Sequence, residues 1–191
     1  MGPFLELLYD VIFSPAAAMR QIAARRPVGQ AFAAFLLSII IPAGAIYFAL
    51  QATAAGKFAG VFFAAAVCVR LLMWFVGSAV LQLIAELFGG QGTAVGLFAA
   101  IGFAHLPFIF AVPLAVAGLL LPAGAAAMLF AAGVLVLIFW VLALTVVAIR
   151  GVHGLSVAKA TLVLLTPLLA ALAALVAAVV FVGAAFWPPL G

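Results

Sequence analysis

The chain has 191 residues, 72% of them hydrophobic, and only ten charged: seven Lys or Arg and three Asp or Glu. A soluble domain carries about a quarter charged residues, and no soluble interior of this size could hide so much apolar surface. The composition therefore excludes a secreted disulfide scaffold, a disordered protein and a dedicated soluble catalytic domain, and defines a polytopic all-α membrane protein. One cysteine, Cys68, leaves no intramolecular disulfide and no multi-cysteine metal site. The net charge of +4 reports orientation in a membrane rather than nucleic-acid binding.

In chain order, Pro3 to Phe13 has helical periodicity. Phe4, Leu5, Leu7, Leu8, Val11 and Ile12 share one face, with Glu6, Tyr9, Asp10 and Phe13 on the other. Glu6 and Asp10 interrupt the apolar stretch, which is not the pattern of a signal peptide. Ser14-Pro15 reads as an N-cap with Pro at the first helical position. A second short helix should end near Arg26, before Pro27 and Gly29. Residues 1–29 are thus expected to form an amphipathic interfacial segment, with Arg20, Arg25 and Arg26 on the membrane surface.

Residues 30–187 should form the membrane domain, with spans at about 30–50, 58–86, 93–120, 124–149 and 157–187, and 188–191 as a tail. Pro42 and Gly44 sit in the first span, Arg70 in the second, and Pro107 and Pro113 in the third. Gly89-Gly90-Gln91-Gly92 breaks the chain between the second and third. The charge-free stretch Thr93 to Ile149 fits two helices turning at Leu121 to Gly124. Ser156 reads as the N-cap of the fifth span, and Trp187-Pro188-Pro189 as its exit. A cytoplasmic N-terminus puts Arg20, Arg25, Arg26, Arg150 and Lys159 inside and only Lys57 outside. That bias predicts N-terminus in and C-terminus out.

The pattern resembles the YIP family, the Ypt/Rab-interacting membrane proteins, and specifically its bacterial members. Five sets of residues carry the resemblance: Ser14-Pro15; Arg25-Arg26-Pro27 before the first span; Gly89-Gly90; His105-Leu106-Pro107; and Gly154-Leu155-Ser156 with Ala160. It covers roughly residues 10 to 185. Five spans and a cytoplasmic N-terminus agree with it, and for bacterial members it implies an integral membrane protein of undefined activity. In eukaryotes the family is associated with membrane traffic, small GTPases and membrane shaping. A GTPase partner is not carried over, because a long acidic N-terminal region is missing from this sequence. What remains is an inner-membrane protein whose partner is the lipid bilayer, with another membrane protein or a second copy as a further candidate.

An Arg near mid-membrane costs from ~2.5 kcal/mol to much more, which makes Arg70 a candidate site by default. His105 should lie at similar depth on the antiparallel neighbour, so the two are expected to form a polar pair. The carbonyls of Phe103 and Ile109, freed by Pro107 and Pro113, are further acceptors for the guanidinium. The plainer alternative is a structural staple. Trp74, Ser78, Gln82 and Glu86 continue a polar-bearing row from Arg70, with Ser78 and Gln82 expected to bond a neighbouring helix. Glu86 has Arg150 or Lys159 as candidate partners. Gly92, Gly96 and Ala100 form a close-packing face. The glycine run lacks the Lys-Ser/Thr ending of a phosphate loop, and His153 lacks companions at metal spacing. Cys68 reads as a packing residue. No cofactor, metal or catalytic set is expected. The leading expectation is a non-enzymatic membrane-organising or adaptor protein. The alternative is a small transporter or channel subunit with a polar site at Arg70 and His105.

Overall fold

The structure, a computed structural model, describes residues 3–51, 53 and 56–186. It is helical throughout, with no strand among the described residues. The helices are α1 (Pro3–Phe13), α2 (Pro15–Arg25), α3 (Val28–Gln51), α4 (Ala59–Leu87), α5 (Ala94–Ala104), α6 (Ala111–Gly118), α7 (Ala123–His153) and α8 (Val157–Phe186). A short 3-10 turn, Gly56–Phe58, leads into α4, and another, Leu106–Phe110, joins α5 to α6. Five segments are long and apolar enough to cross a membrane: α3, α4, the α5–α6 pair, α7 and α8. The exit expected at Trp187-Pro188-Pro189 lies outside the described residues.

The helix ends follow local chemistry. Pro15 opens α2, whose first N–H groups bond the Ser14 carbonyl, although the Ser14 hydroxyl makes no cap bond. Arg26 closes α2 at φ +50, donating its N–H to the Ile22 carbonyl before Pro27 stops the helix. Gly89, at φ +87, ends α4 in a Schellman turn: Gly90 N–H reaches Ala85 O and Gly89 N–H reaches Glu86 O. Ser156 caps α8 through its hydroxyl to the Lys159 N–H.

The third span differs from the continuous helix expected. Pro107 offers no N–H to the Phe103 carbonyl, and α5 stops at Ala104. The His105 backbone N–H turns to Phe103 O instead, and its ring Nδ1 sits 2.8 Å from Ile101 O. The chain then tightens into the 3-10 turn and resumes as α6, which contains Pro113. Two carbonyls at the break are thus satisfied by one residue, His105.

α5 is the central post, with eight of its eleven residues buried. A helix apolar on every side belongs inside a bundle. Gly102 lets α3 and α4 close on it, since a Cβ there would stand 2.8 Å from Trp74 and 3.1 Å from Ala31 O. The Trp74 indole is sandwiched between Phe35 and Phe98, with centroids 4.3 and 4.0 Å away, and donates its N–H to Phe98 O.

α1 and α2 do not merely rest against this bundle. Leu7, Val11, Ala18, Met19 and Ile22 are buried in one cluster with Ala100, Phe103, Leu144 and Ala148 of α5 and α7. Leu5, on the apolar face that periodicity gives α1, stays outside this cluster while Leu7 and Val11 of the same face are buried in it. Leu5 forms an exposed stripe with Tyr9 and Phe13 at successive i, i+4 positions. At the opposite extreme, α8 from Leu168 to Val182 is exposed on all sides. Cys68, expected to pack, is exposed on α4.

Candidate functional site

Two polar constellations stand out among the described residues. The first is a cavity of about 400 Å³ among α3, α4, α5, α7 and α8, lined by Arg70, Trp74, Ser78, His105 and Thr145 on an otherwise apolar wall. Arg70 and His105 therefore share one cavity, but the polar pair expected from their depth is not hydrogen-bonded. The Arg70 guanidinium lies 4.9 Å from the centroid of the Phe108 ring, a cation–π contact. It makes no hydrogen bond to the carbonyls of Phe103 or Ile109; among the described residues it has no such partner. His105 packs edge-on against Phe35 at 5.1 Å. Because a carbonyl only accepts, His105 donates from Nδ1 to Ile101 and keeps Nε2 as an acceptor. Arg70 itself is exposed in the isolated chain rather than shut in the bundle core.

Ser78 and Gln82, expected to bond a neighbouring helix, find other partners. The Ser78 hydroxyl donates back to Trp74 O on its own helix at 2.6 Å. Gln82 reaches the loop before α5 instead of a helix: its Nε2 donates to Gly92 O at 3.2 Å, and to Glu86 Oε1 at 2.7 Å. Glu86 is thus held by Gln82 rather than by Arg150 or Lys159, and Lys159 instead donates to Phe88 O at 3.2 Å.

The second constellation joins these residues at the end of the bundle where the loops gather. The Gly92 N–H donates to His153 Nδ1 at 3.0 Å, fixing the neutral imidazole with its proton on Nε2. The glycines make room for that bond. A Cβ on Gly90 would stand 2.6 Å from His153 Nδ1; one on Gly92 would stand 2.6 Å from Val152 O and 2.8 Å from the same nitrogen. Gln82 Oε1 and His153 Nε2 are buried without a partner among the described residues. Residues 61 positions apart meet here. The sequence alone reads the glycine run as a plain break and His153 as an isolated loop residue. The one signal it carries for the junction is three glycines in four positions, more than a turn requires.

Arg20, Arg25 and Arg26 are exposed, on the same end of the molecule as this junction. No group of three or more His, Cys, Asp or Glu placed to hold a metal occurs among the described residues.

Five apolar crossing segments and an all-helical fold define a multi-pass α-helical membrane protein in contact with lipid. The family model of the Yip1 domain matches residues 9–178, and the chain belongs to that family. No curated protein matches the sequence. No solved structure matches it either.

Proposed function

We propose that this chain is a non-enzymatic membrane-organising protein of the YIP type, seated in a bacterial inner membrane with its N-terminus in the cytoplasm. The observation that carries the reading is α1. Its inner side is buried on the bundle, yet its outer side shows Leu5, Tyr9 and Phe13, all more than half exposed. An outward apolar stripe on a docked helix belongs in lipid, not in water. α1 and α2, eleven residues each, then occupy one leaflet only. Each is ~16 Å long and ~10 Å across, and area added to one leaflet bends the membrane toward the other. The excess of Arg and Lys at that end, Arg20, Arg25, Arg26, Arg150 and Lys159 against Lys57, supports the cytoplasmic leaflet.

The test is reconstitution at rising protein-to-lipid ratio, with vesicle diameter read by cryo-electron microscopy. Diameter should fall with protein density, and Leu5→Ser with Phe13→Ser, at exposed positions of α1, should weaken the fall. A diameter indifferent to protein density refutes the reading.

The 400 Å³ cavity favours a second reading, a small transporter or channel subunit handling an anion at Arg70. The same vesicles separate the two. Transport requires saturable anion uptake that Arg70→Leu removes; membrane organisation requires none.

A further inference from the structure

α2 crosses the end of α7 at Gly151, where a Cβ would stand 3.3 Å from Met19 Cβ and 3.5 Å from the Arg20 nitrogen. Beside that crossing is a cavity of about 270 Å³, lined by Arg20 of α2, Arg150 of the last turn of α7, Gly151, Gly154, and an apolar floor of Val147 and Leu155. Two arginines from different helices thus line one small space. The chain holds three carboxylates, Glu6, Asp10 and Glu86, and none lines this cavity. Neither guanidinium has an ion-pair partner among the described residues. The last turn of α7 borders the cavity with its partly negative carbonyl end, which two full guanidinium charges outweigh. The two arginines set the sign.

We infer that Arg20 and Arg150 form a clamp for a phosphate-bearing anion, either a lipid phosphate headgroup or phosphate from solution. Two cationic side chains lining one small cavity repel unless an anion bridges them. The planar fork of each guanidinium matches two phosphate oxygens, a fit that an ammonium lacks. The apolar floor suits the carbon skeleton next to an esterified phosphate. The inference leans on the membrane-organising reading only for a lipid source. Its test is run in detergent, so the two can fail separately.

The full-length protein in a neutral maltoside detergent is titrated, at constant ionic strength, with inorganic phosphate and with dihexanoyl phosphatidic acid, following the unfolding temperature. At least one probe should raise it saturably. A rise with inorganic phosphate assigns a solution anion; a rise with phosphatidic acid alone assigns a lipid headgroup. Arg20→Gln and Arg150→Gln should each weaken the apparent affinity at least tenfold, and Arg25→Gln, outside the cavity, less than twofold. The double variant Arg20→Lys with Arg150→Lys keeps charge and fold but loses both forks, so it should also bind at least tenfold more weakly. No response to either probe, equal losses in Arg25→Gln, or full binding by the lysine variant overturns the clamp.

Discussion

Gly92→Ala is the sharpest perturbation of the junction between α4, α5 and α7. The new methyl would stand 2.6 Å from both Val152 Cγ1 and Val152 O, and 2.8 Å from His153 Nδ1. One of these atoms is backbone, so rotating a side chain does not relieve the clash. Overpacking of this kind costs about 1–3 kcal/mol. The shift also strains the Gly92 N–H to His153 bond and the Gln82 bond to Gly92 O, each contributing about 0.5–1.5 kcal/mol. A total loss of about 2–4 kcal/mol lowers the unfolding temperature by roughly 4–16 °C for a chain of this length. Circular dichroism in detergent measures it. Gly44→Ala is the control: it lies inside α3 with nothing within 4 Å of the added methyl, and should be neutral or raise stability by up to about 1 kcal/mol. Equal unfolding temperatures for the two variants would refute the close approach at Gly92.

His153→Leu keeps bulk but removes the acceptor for the Gly92 N–H, and should cost about 1–3 kcal/mol by the same assay. Ile22→Ala, in a fully buried position of α2, should cost about 2–5 kcal/mol in the whole chain; a loss under about 1 kcal/mol would mean α2 only skims the surface. A double-mutant cycle of Arg70→Gln with Phe108→Leu should show coupling of about 0.5–2 kcal/mol. The cycle of Arg70→Gln with His105→Phe should couple by no more than about 1 kcal/mol, through the shared cavity and the Phe108 ring that both side chains face rather than through a bond between them.

The spans are legible in the sequence because their signal is bulk hydropathy, and the helix ends because Pro15, Gly89, Gly154 and Ser156 each impose a local geometry. Contacts across the chain are less so. Depth along two antiparallel helices places Arg70 and His105 at one cavity, but depth says nothing about rotation. The guanidinium turns to Phe108, and His105 turns back to its own helix. Pro107 announces freed carbonyls; that the residue just before the 3-10 turn satisfies them is a backbone detail no periodicity carries. The split of one apolar face into Leu7 and Val11 buried and Leu5 exposed reflects the same limit. An eleven-residue helix with apolar residues on both sides offers two packing faces, and only the position of α5 and α7 chooses between them.

The placement of α1 in one leaflet is tested most directly by spin-label accessibility in reconstituted membranes. In a Cys68→Ser background, a label at Tyr9→Cys reports the outward stripe of α1, and one at Ala24→Cys reports the exposed side of α2. The account predicts that Tyr9 is reached by oxygen dissolved in lipid and shielded from a water-soluble nickel relaxant, with Ala24 open to the nickel reagent. A Tyr9 label as open to the aqueous relaxant as Ala24 would place α1 in water and contradict the account.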